Sequence, residues 1–285
     1  YQSMVDTGNL TIEDSLEQLF GHPELLEFAS SYSITTWDGY AYPGSVSELG
    51  ELTVEQAGIY YGAANFVSPE NAAPGPNYTI NDTAQAIADG VNSLDANVAN
   101  GIFAATSVVA DGGAPIDIDD AALVQGASDY DAANSDYAIE DSSAAILGDT
   151  GTVVDAGVSD VVVTDATGAG YVNAADGADL SALEVEMRAA NGDATSDIVF
   201  RVEDSASAIA AELSSDNTLL DGANDLEVAG GITDIDGAFD IQSSAGYDAA
   251  NSDYAIEDSS GAILGDTGTV VDAAVSGVVV TDATG

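Results

Sequence analysis

Closely spaced aspartates are the residues of this chain best suited to chemistry. Calcium takes about six to eight oxygen ligands, often from carboxylates near a flexible glycine. Three groups of aspartates fit this pattern, at residues 117–120, 129–131 and 234–236, and Gly237 follows the third group. We therefore expect calcium as a cofactor, with these metal ligands: Asp117, Asp119, Asp129, Asp131, Asp234 and Asp236. No group completes an EF-hand loop, because a third ligand and the distal Glu are missing after Asp236. The alternative is that such pairs only solvate the chain.

A second set of aspartates follows short β-branched segments that read as strands. Each could cap the following helix or turn without any metal. If the strands stack, however, the carboxylates form a ladder along one edge, and a cation between rungs would relieve their repulsion. The members of this expected ladder are Asp82, Asp111, Asp141, Asp165, Asp204, Asp258 and Asp282.

Charge limits the classes of partner. The chain has 50 acidic residues against two arginines and no lysine, a formal net charge of −48. Nucleic acid is excluded as a partner because its binding depends on Lys and Arg. Divalent cations fit, and salt would also relieve the self-repulsion. Each arginine, Arg188 and Arg201, is expected to pair with nearby carboxylates. We expect no direct membrane insertion, since no apolar run reaches the ~20 residues of a membrane span. No carboxylate pair stands out as a catalytic pair, so we expect no enzyme.

The chain contains a nearly identical internal repeat. Residues 130–168 return as residues 247–285, 117 positions later, and differ at three of 39 positions. The differing pairs are Ala144/Gly261, Gly157/Ala274 and Asp160/Gly277. One active site needs one set of groups, whereas a structure built by stacking buries each unit against the next. The duplication therefore indicates a structural or adhesive role.

A shorter pattern lies inside this period. Aromatic and β-branched residues alternate with polar ones before Asp-Ser or Asp-Thr, which predicts a strand followed by a helix N-cap. Strands are expected to start near 78, 107, 137, 161, 199, 226, 254 and 278, a mean spacing of about 28–29 residues. Helices are expected at 84–87, 143–146, 206–209 and 179–188. This predicts an α/β repeat solenoid with short parallel strands. The alternative is an all-β solenoid with the Ala-rich segments as loops or single helical turns.

The first 75 residues differ in composition, with the single Trp and six of the 12 tyrosines. We expect residues 1–75 to form an aromatic-rich capping region and residues 76–285 the tandem repeats, interrupted within a repeat of a longer array. Thr11-Ile-Glu-Asp14 resembles a capping box before a helix with Leu16, Leu19 and Phe20, and Pro23 suits a second helix through 24–32. Residues 10–15 also echo 137–142, which favours a modified repeat.

Units of the form Tyr-x-Ile-x-Asp-Ser/Thr-Ala-x-x-Ile, followed by a Val-rich strand with Thr-Asp, resemble the tandem repeats of large surface proteins of cyanobacteria and other marine bacteria, described as surface-layer, haemolysin-like or RTX-adhesin proteins. The resemblance covers residues 78–285. It implies export, calcium dependence, a cell-surface or extracellular location, and self-assembly into a lattice or filament. The alternatives are the stalk of a calcium-dependent adhesin and a salt-adapted acidic archaeal surface protein. The RTX nonapeptide itself does not occur.

Overall fold

The computed structural model describes residues 11–15, 18, 21, 22, 31–37, 40, 41, 48–63, 77–165, 171–192, 196–214, 216 and 218–282. Contacts between Cα atoms divide the chain into an N-terminal unit, Tyr1–Tyr137, and a C-terminal unit, Ala138–Gly285.

The N-terminal unit opens with β1 (Thr11–Ser15), β2 (Ser31–Trp37) and β3 (Tyr40–Ala41). Strands β1 and β2 pair in parallel, and β2 and β3 pair antiparallel. The capping box predicted at Thr11 is wrong, because these residues alternate with period two and gain ladder hydrogen bonds as a strand. The helix predicted through residue 32 is wrong at its end, since Tyr32 lies in β2. Leu16, Leu19, Phe20 and residues 23–30 lie outside the described residues.

The rest of this unit alternates strands with helices. Three parallel strands lie in chain order, each hydrogen-bonded to the next. The elements are β4 (Glu48–Leu52), α1 (Val54–Gly62), β5 (Asn77–Asp82), α2 (Ala84–Val91), α3 (Ala96–Phe103), β6 (Ser107–Ala110), α4 (Ile118–Gln125) and a 3₁₀ turn at Ala132–Asn134. Tyr78 is fully enclosed below the helices, and its hydroxyl donates to the carbonyl of Gly101 at 2.5 Å.

The C-terminal unit continues the same alternation, beginning within β7, whose first residue belongs to the N-terminal unit. Its elements are β7 (Tyr137–Asp141), α5 (Ser143–Gly148), α6 (Thr150–Val153), β8 (Val158–Val163), β9 (Tyr171–Val172), α7 (Ala174–Asn191), β10 (Asp197–Val199), β11 (Arg201–Asp204), α8 (Ala206–Leu213), β12 (Asp225–Thr233), α9 (Ile235–Ser243), β13 (Asp253–Asp258), α10 (Ser260–Gly265), α11 (Thr267–Val270) and β14 (Val275–Val280). The strand orders are β7-β8-β10 and β9-β11-β12-β13-β14. Only Phe200 separates β10 from β11, so one segment contributes to both sheets.

The core lies between the strands and the helices that follow them. Ile139, Val161, Ile198, Val202 and Ile256 are completely buried. Helix α8 packs against α7 and α9 as a second layer beside the sheet. The prediction of an α/β protein with parallel strands alternating with helices is confirmed. The all-β alternative is wrong, because Ala-rich segments such as α2 and α8 form helices of 8 residues, longer than a single turn.

All the predicted strands are present among the described residues, and so are the helices predicted at 84–87, 143–146, 179–188 and 206–209. The spacing is less regular than its mean. Strands β7 and β8 begin 21 positions apart (137 and 158), whereas β8 and β10 begin 39 apart (158 and 197). The long interval accommodates the 18 residues of α7. The period of 28–29 therefore describes an average, not the length of each unit.

Candidate functional site

Four of the predicted metal ligands lie at helix N-termini. Oδ1 of Asp117 accepts a hydrogen bond from the N–H of Asp120 at 2.8 Å and caps α4. Asp234 caps α9 in the same way, through the N–H of Gly237 at 2.8 Å. Asp119 and Asp236 lie in the first turns of these helices. A carboxylate is favoured there because unpaired N–H groups and the helix dipole meet at this end.

The remaining predicted pair belongs to the turn before β7. Asp129 has a left-handed backbone with φ 57°, which Asp tolerates better than most residues. Oδ2 of Asp131 accepts from the side-chain amide of Asn134 at 2.8 Å, and its carbonyl accepts from the hydroxyl of Ser135 at 2.8 Å. These contacts hold the turn in shape. A cation at this turn stays a prediction.

Three of the strand-end aspartates, Asp82, Asp204 and Asp258, share one geometry. One carboxylate oxygen accepts from the N–H of the next residue, which is the helix N-cap. The other accepts from the first N–H of the helix that follows the neighbouring, earlier strand. Both contacts occur for Asp82 with Thr83 (2.8 Å) and Val54 (3.0 Å), for Asp204 with Ser205 (2.7 Å) and Ala174 (3.1 Å), and for Asp258 with Ser259 (2.6 Å) and Ile235 (3.3 Å).

The parallel register explains this geometry. Leu52 of β4 lies opposite Ile80 of β5, so two residues further on Asp82 lies opposite the start of α1. The same stagger brings Asp282 to the N–H of Ser260, at 3.0 and 3.1 Å. The backbone N–H groups of Ser259 and Ile235 lower the pKa of Asp258. We refer to Asp82, Asp204, Asp258 and Asp282 as the bridging aspartates.

The other three members of the expected ladder are placed differently. Asp141 accepts from the N–H of Ser142 at 2.7 Å. Asp111 follows β6, and its backbone N–H donates to the carbonyl of Asp82 at 2.9 Å. Asp165 lies two residues beyond the end of β8. Backbone N–H groups therefore supply compensating positive charge to the bridging aspartates, and whether a cation also does so stays a prediction.

The residues that best suit a cation form a cluster that the sequence reasoning missed. Asp225, Glu227 and Asp248 each offer an oxygen, and these three oxygens lie within 4.8 Å of one another. Asp225 and Glu227 point to the same face of β12 because side chains alternate along a strand. Asp248 joins them because a parallel bridge pairs Leu226 with Tyr247. All three side chains are half-buried.

Two residues of neighbouring strands complete this acidic cluster. Tyr171, Arg201 and Asp225 lie side by side on β9, β11 and β12. The Tyr171 hydroxyl donates to Oε1 of Glu227 at 2.5 Å, and this bond raises the pKa of Tyr171 to about 12. The Arg201 guanidinium lies over the Tyr171 ring, 5.6 Å from its centroid, with Nε 3.8 Å from Oδ2 of Asp225. Burial, followed by the charge of Glu227, raises the pKa of Asp225.

The N-terminal unit provides an internal comparison. The bridge between Val108 and Tyr130 corresponds to that between Leu226 and Tyr247. The equivalents of Asp225, Glu227 and Asp248 are therefore Ser107, Val109 and Asp131. Only Asp131, one of the predicted ligands, is acidic. The sequence signals for the cluster were an Asp-x-Glu pair within a strand and one of the two arginines beside it.

The second arginine also belongs to an acidic group. Arg188 forms an ion pair with Glu184 one helical turn earlier, and its Nη2 lies 3.7 Å from Oδ1 of Asp197. Glu184 is 2% exposed, and burial raises its pKa. Its Oε2 and the hydroxyl of Ser181 have no hydrogen-bond partner among the described residues, and both atoms line a cleft of about 380 Å³ with Gly222. The prediction that each arginine pairs with local carboxylates is confirmed.

Comparison of the chain with protein-family models, with curated proteins and with solved structures finds no match. None of the described helices combines the length and the apolar character needed to cross a bilayer.

Proposed function

We propose that this chain is a structural repeat protein, an α/β solenoid in which each strand and its helix form one layer of a stack. The observation that carries the proposal is the contact of the bridging aspartates. Asp82, Asp204 and Asp258 each join the start of their own helix to the start of the helix one strand earlier. Asp282 makes the second of these contacts, with both oxygens near the N–H of Ser260 at the start of α10. The same carboxylate thus serves local capping and cohesion between layers. A carboxylate contact that recurs at several strand ends and holds neighbouring helices together supports a mechanical role.

We propose that the protein acts outside the cell, as a self-assembling component of a surface layer or filament. The resemblance of its repeats to surface-protein repeats supports this location. A net charge of −48 disfavours nonspecific association and makes assembly depend on cations. Divalent ions are suited to this because each can bridge carboxylates of different layers or subunits.

Calcium is the cation that we propose, and the acidic cluster of Asp225, Glu227 and Asp248 fits it best. With Ca–O distances of about 2.3–2.6 Å, ligands on opposite sides of the ion lie about 5 Å apart. The three carboxylate oxygens, which lie within 4.8 Å of one another, suit this spacing. Three carboxylates beside one guanidinium leave two negative charges, which one divalent ion balances. Water would supply the other ligands.

Circular dichroism and particle size in calcium, in EDTA and in sodium chloride of matched ionic strength test this proposal. We expect calcium at millimolar concentration to raise the unfolding temperature and to promote large particles, visible by electron microscopy as lattices or filaments. Equal effects of sodium would reject the calcium role and favour simple charge screening. Monomers under all conditions would reject self-assembly.

A further inference from the structure

The two 39-residue copies have the same local structure but different surroundings. Each forms a strand, two short helices and a second strand: β7-α5-α6-β8 in the first copy and β13-α10-α11-β14 in the second. Equivalent hydrogen bonds recur, such as Thr152 to Asp149 at 2.9 Å and Thr269 to Asp266 at 2.8 Å. Where equivalent side chains of the two copies differ in exposure, the difference is therefore due to the segments that pack against each copy.

The exposure differs along one face. Val161 and Val163 of β8 are 0% and 5% exposed, whereas their equivalents in β14, Val278 and Val280, are 40% and 55% exposed. The helical segments of the second copy expose Leu264 at 75% and Val271 at 79%. Their equivalents in the first copy, residues 147 and 154, are only half-exposed. None of these positions is among the three that differ between the copies.

The first copy shows what covers this face. Strand β10 pairs with β8 in parallel, with the fully buried Ile198 opposite Val161. Helix α7 packs against β8 and α5. Its last residue, Asn191, donates a side-chain hydrogen bond to the carbonyl of Val158 at 2.5 Å. One helix and one strand thus bury the valines and bond to the strand backbone.

We infer that the exposed face of β14, α10 and α11 is a docking surface for a helix–strand segment with the chemistry of α7 and β10. The occupant is a parallel strand that places an Ile opposite Val278, preceded by a helix that covers Leu264 and Val271. Strand β14 lies at the edge of its sheet, and an apolar edge strand is a template for strand addition. The inference deepens the proposed structural function, on which it rests, by naming the partner of this face.

A tandem variant tests the inference, with residues 169–214 appended after Gly285 so that the second copy gains the segment that follows the first. Hydrogen–deuterium exchange is measured at low protein concentration in residues 275–282 and 158–165. We expect residues 275–282 to exchange quickly in the original chain. In the tandem variant they should slow by about two orders of magnitude, toward the rate of 158–165.

A matched control carries Val278→Asp in the tandem variant. Burying an unpaired carboxylate against the new strand should restore rapid exchange in 275–282. Residues 158–165 remain protected and report that the protein is folded. Exchange in 275–282 that the appended segment does not change would overturn the inference. Protection in the original chain that increases with concentration would also overturn it, because a second copy would then be the occupant.

The same variant separates this inference from the proposed function. Slow exchange in 275–282 without particles in calcium would retain the docking surface and reject the surface-layer or filament role. Particles in calcium with 275–282 still exchanging rapidly in the tandem variant would reject the docking surface alone.

Discussion

Asp82 and Val54 are 28 positions apart in the sequence, yet Oδ2 of Asp82 accepts a hydrogen bond from the backbone N–H of Val54 at 3.0 Å. Val54 begins α1, so its N–H has no acceptor within that helix. The Asp82 carboxylate satisfies this N–H while its other oxygen binds the N–H of Thr83. One side chain thus links the starts of two successive helices, α1 and α2.

Loss of this bridge should destabilise the N-terminal unit. Asp82→Ala leaves two N–H groups without their acceptor, and we expect the free energy of unfolding to fall by about 1–3 kcal/mol. Urea unfolding at fixed ionic strength measures the change. Asp119→Ala is the control, because this exposed carboxylate lies in the first turn of α4, not between layers. Equal losses in both variants would show that the effect is one of charge alone.

The buried Glu184 should make stability depend on pH. Burial raises its pKa in the folded protein above the ordinary value of 4.5. The folded state therefore retains a proton that the unfolded state has released. The free energy of unfolding should rise as the pH falls through the raised pKa and level off below 4.5. Glu184→Gln removes this contribution, so its stability should rise less between pH 7 and 4.5.

Glu186→Gln is the matched control, since Glu186 is exposed and lies two residues further along α7. Neutralisation of the other carboxylates affects all three proteins alike. Thermal unfolding across this pH range should separate Glu184→Gln from the other two. The pKa of Asp258 is lowered in the folded protein, so its effect on stability is opposite to that of Glu184. Asp258 contributes stability above its ordinary pKa of 3.8, and this contribution is lost as the pH falls through the lower pKa of the folded protein.

The duplicated valines allow the same substitution in two environments. Val161→Ala removes fully buried methyl groups, and we expect a loss of about 1.5–3 kcal/mol. Val278→Ala affects a side chain that is 40% exposed and should cost less than half as much. Chemical unfolding of the two variants gives the comparison. A similar loss in both would mean that β14 is covered in solution.

The acidic cluster predicts that substitutions of two equivalent aspartates, Asp248 and Asp131, have different effects on calcium binding. Asp248→Asn removes one of the three carboxylates, whereas Asp131→Asn changes the same position in the period that lacks the other two. We expect Asp248→Asn to abolish most of the calcium-dependent rise in unfolding temperature and Asp131→Asn to retain it. Calorimetric titration with calcium should show weaker binding only for Asp248→Asn. Retention of the effect in Asp248→Asn would place the calcium site elsewhere.

The sequence predicts the elements better than the sites. Alternating patterns such as Tyr137-Ala-Ile-Glu-Asp locate the strands because one face must be buried. Helices α4 and α9 were not predicted, since their capping residues Asp117 and Asp234 also suit metal ligation. The acidic cluster depends on the register that brings Asp248 beside β12. Such a register is a property of the folded chain and leaves no local signal.

The near-identity of the two copies also has a genetic consequence. A recombination that inserts one more 117-residue period at equivalent points joins sequences that already occur side by side. The inserted strands then meet neighbours with the same side chains as before, so no new interface has to evolve. The length of such a protein can change in whole periods between generations, while each layer keeps the contacts that hold it.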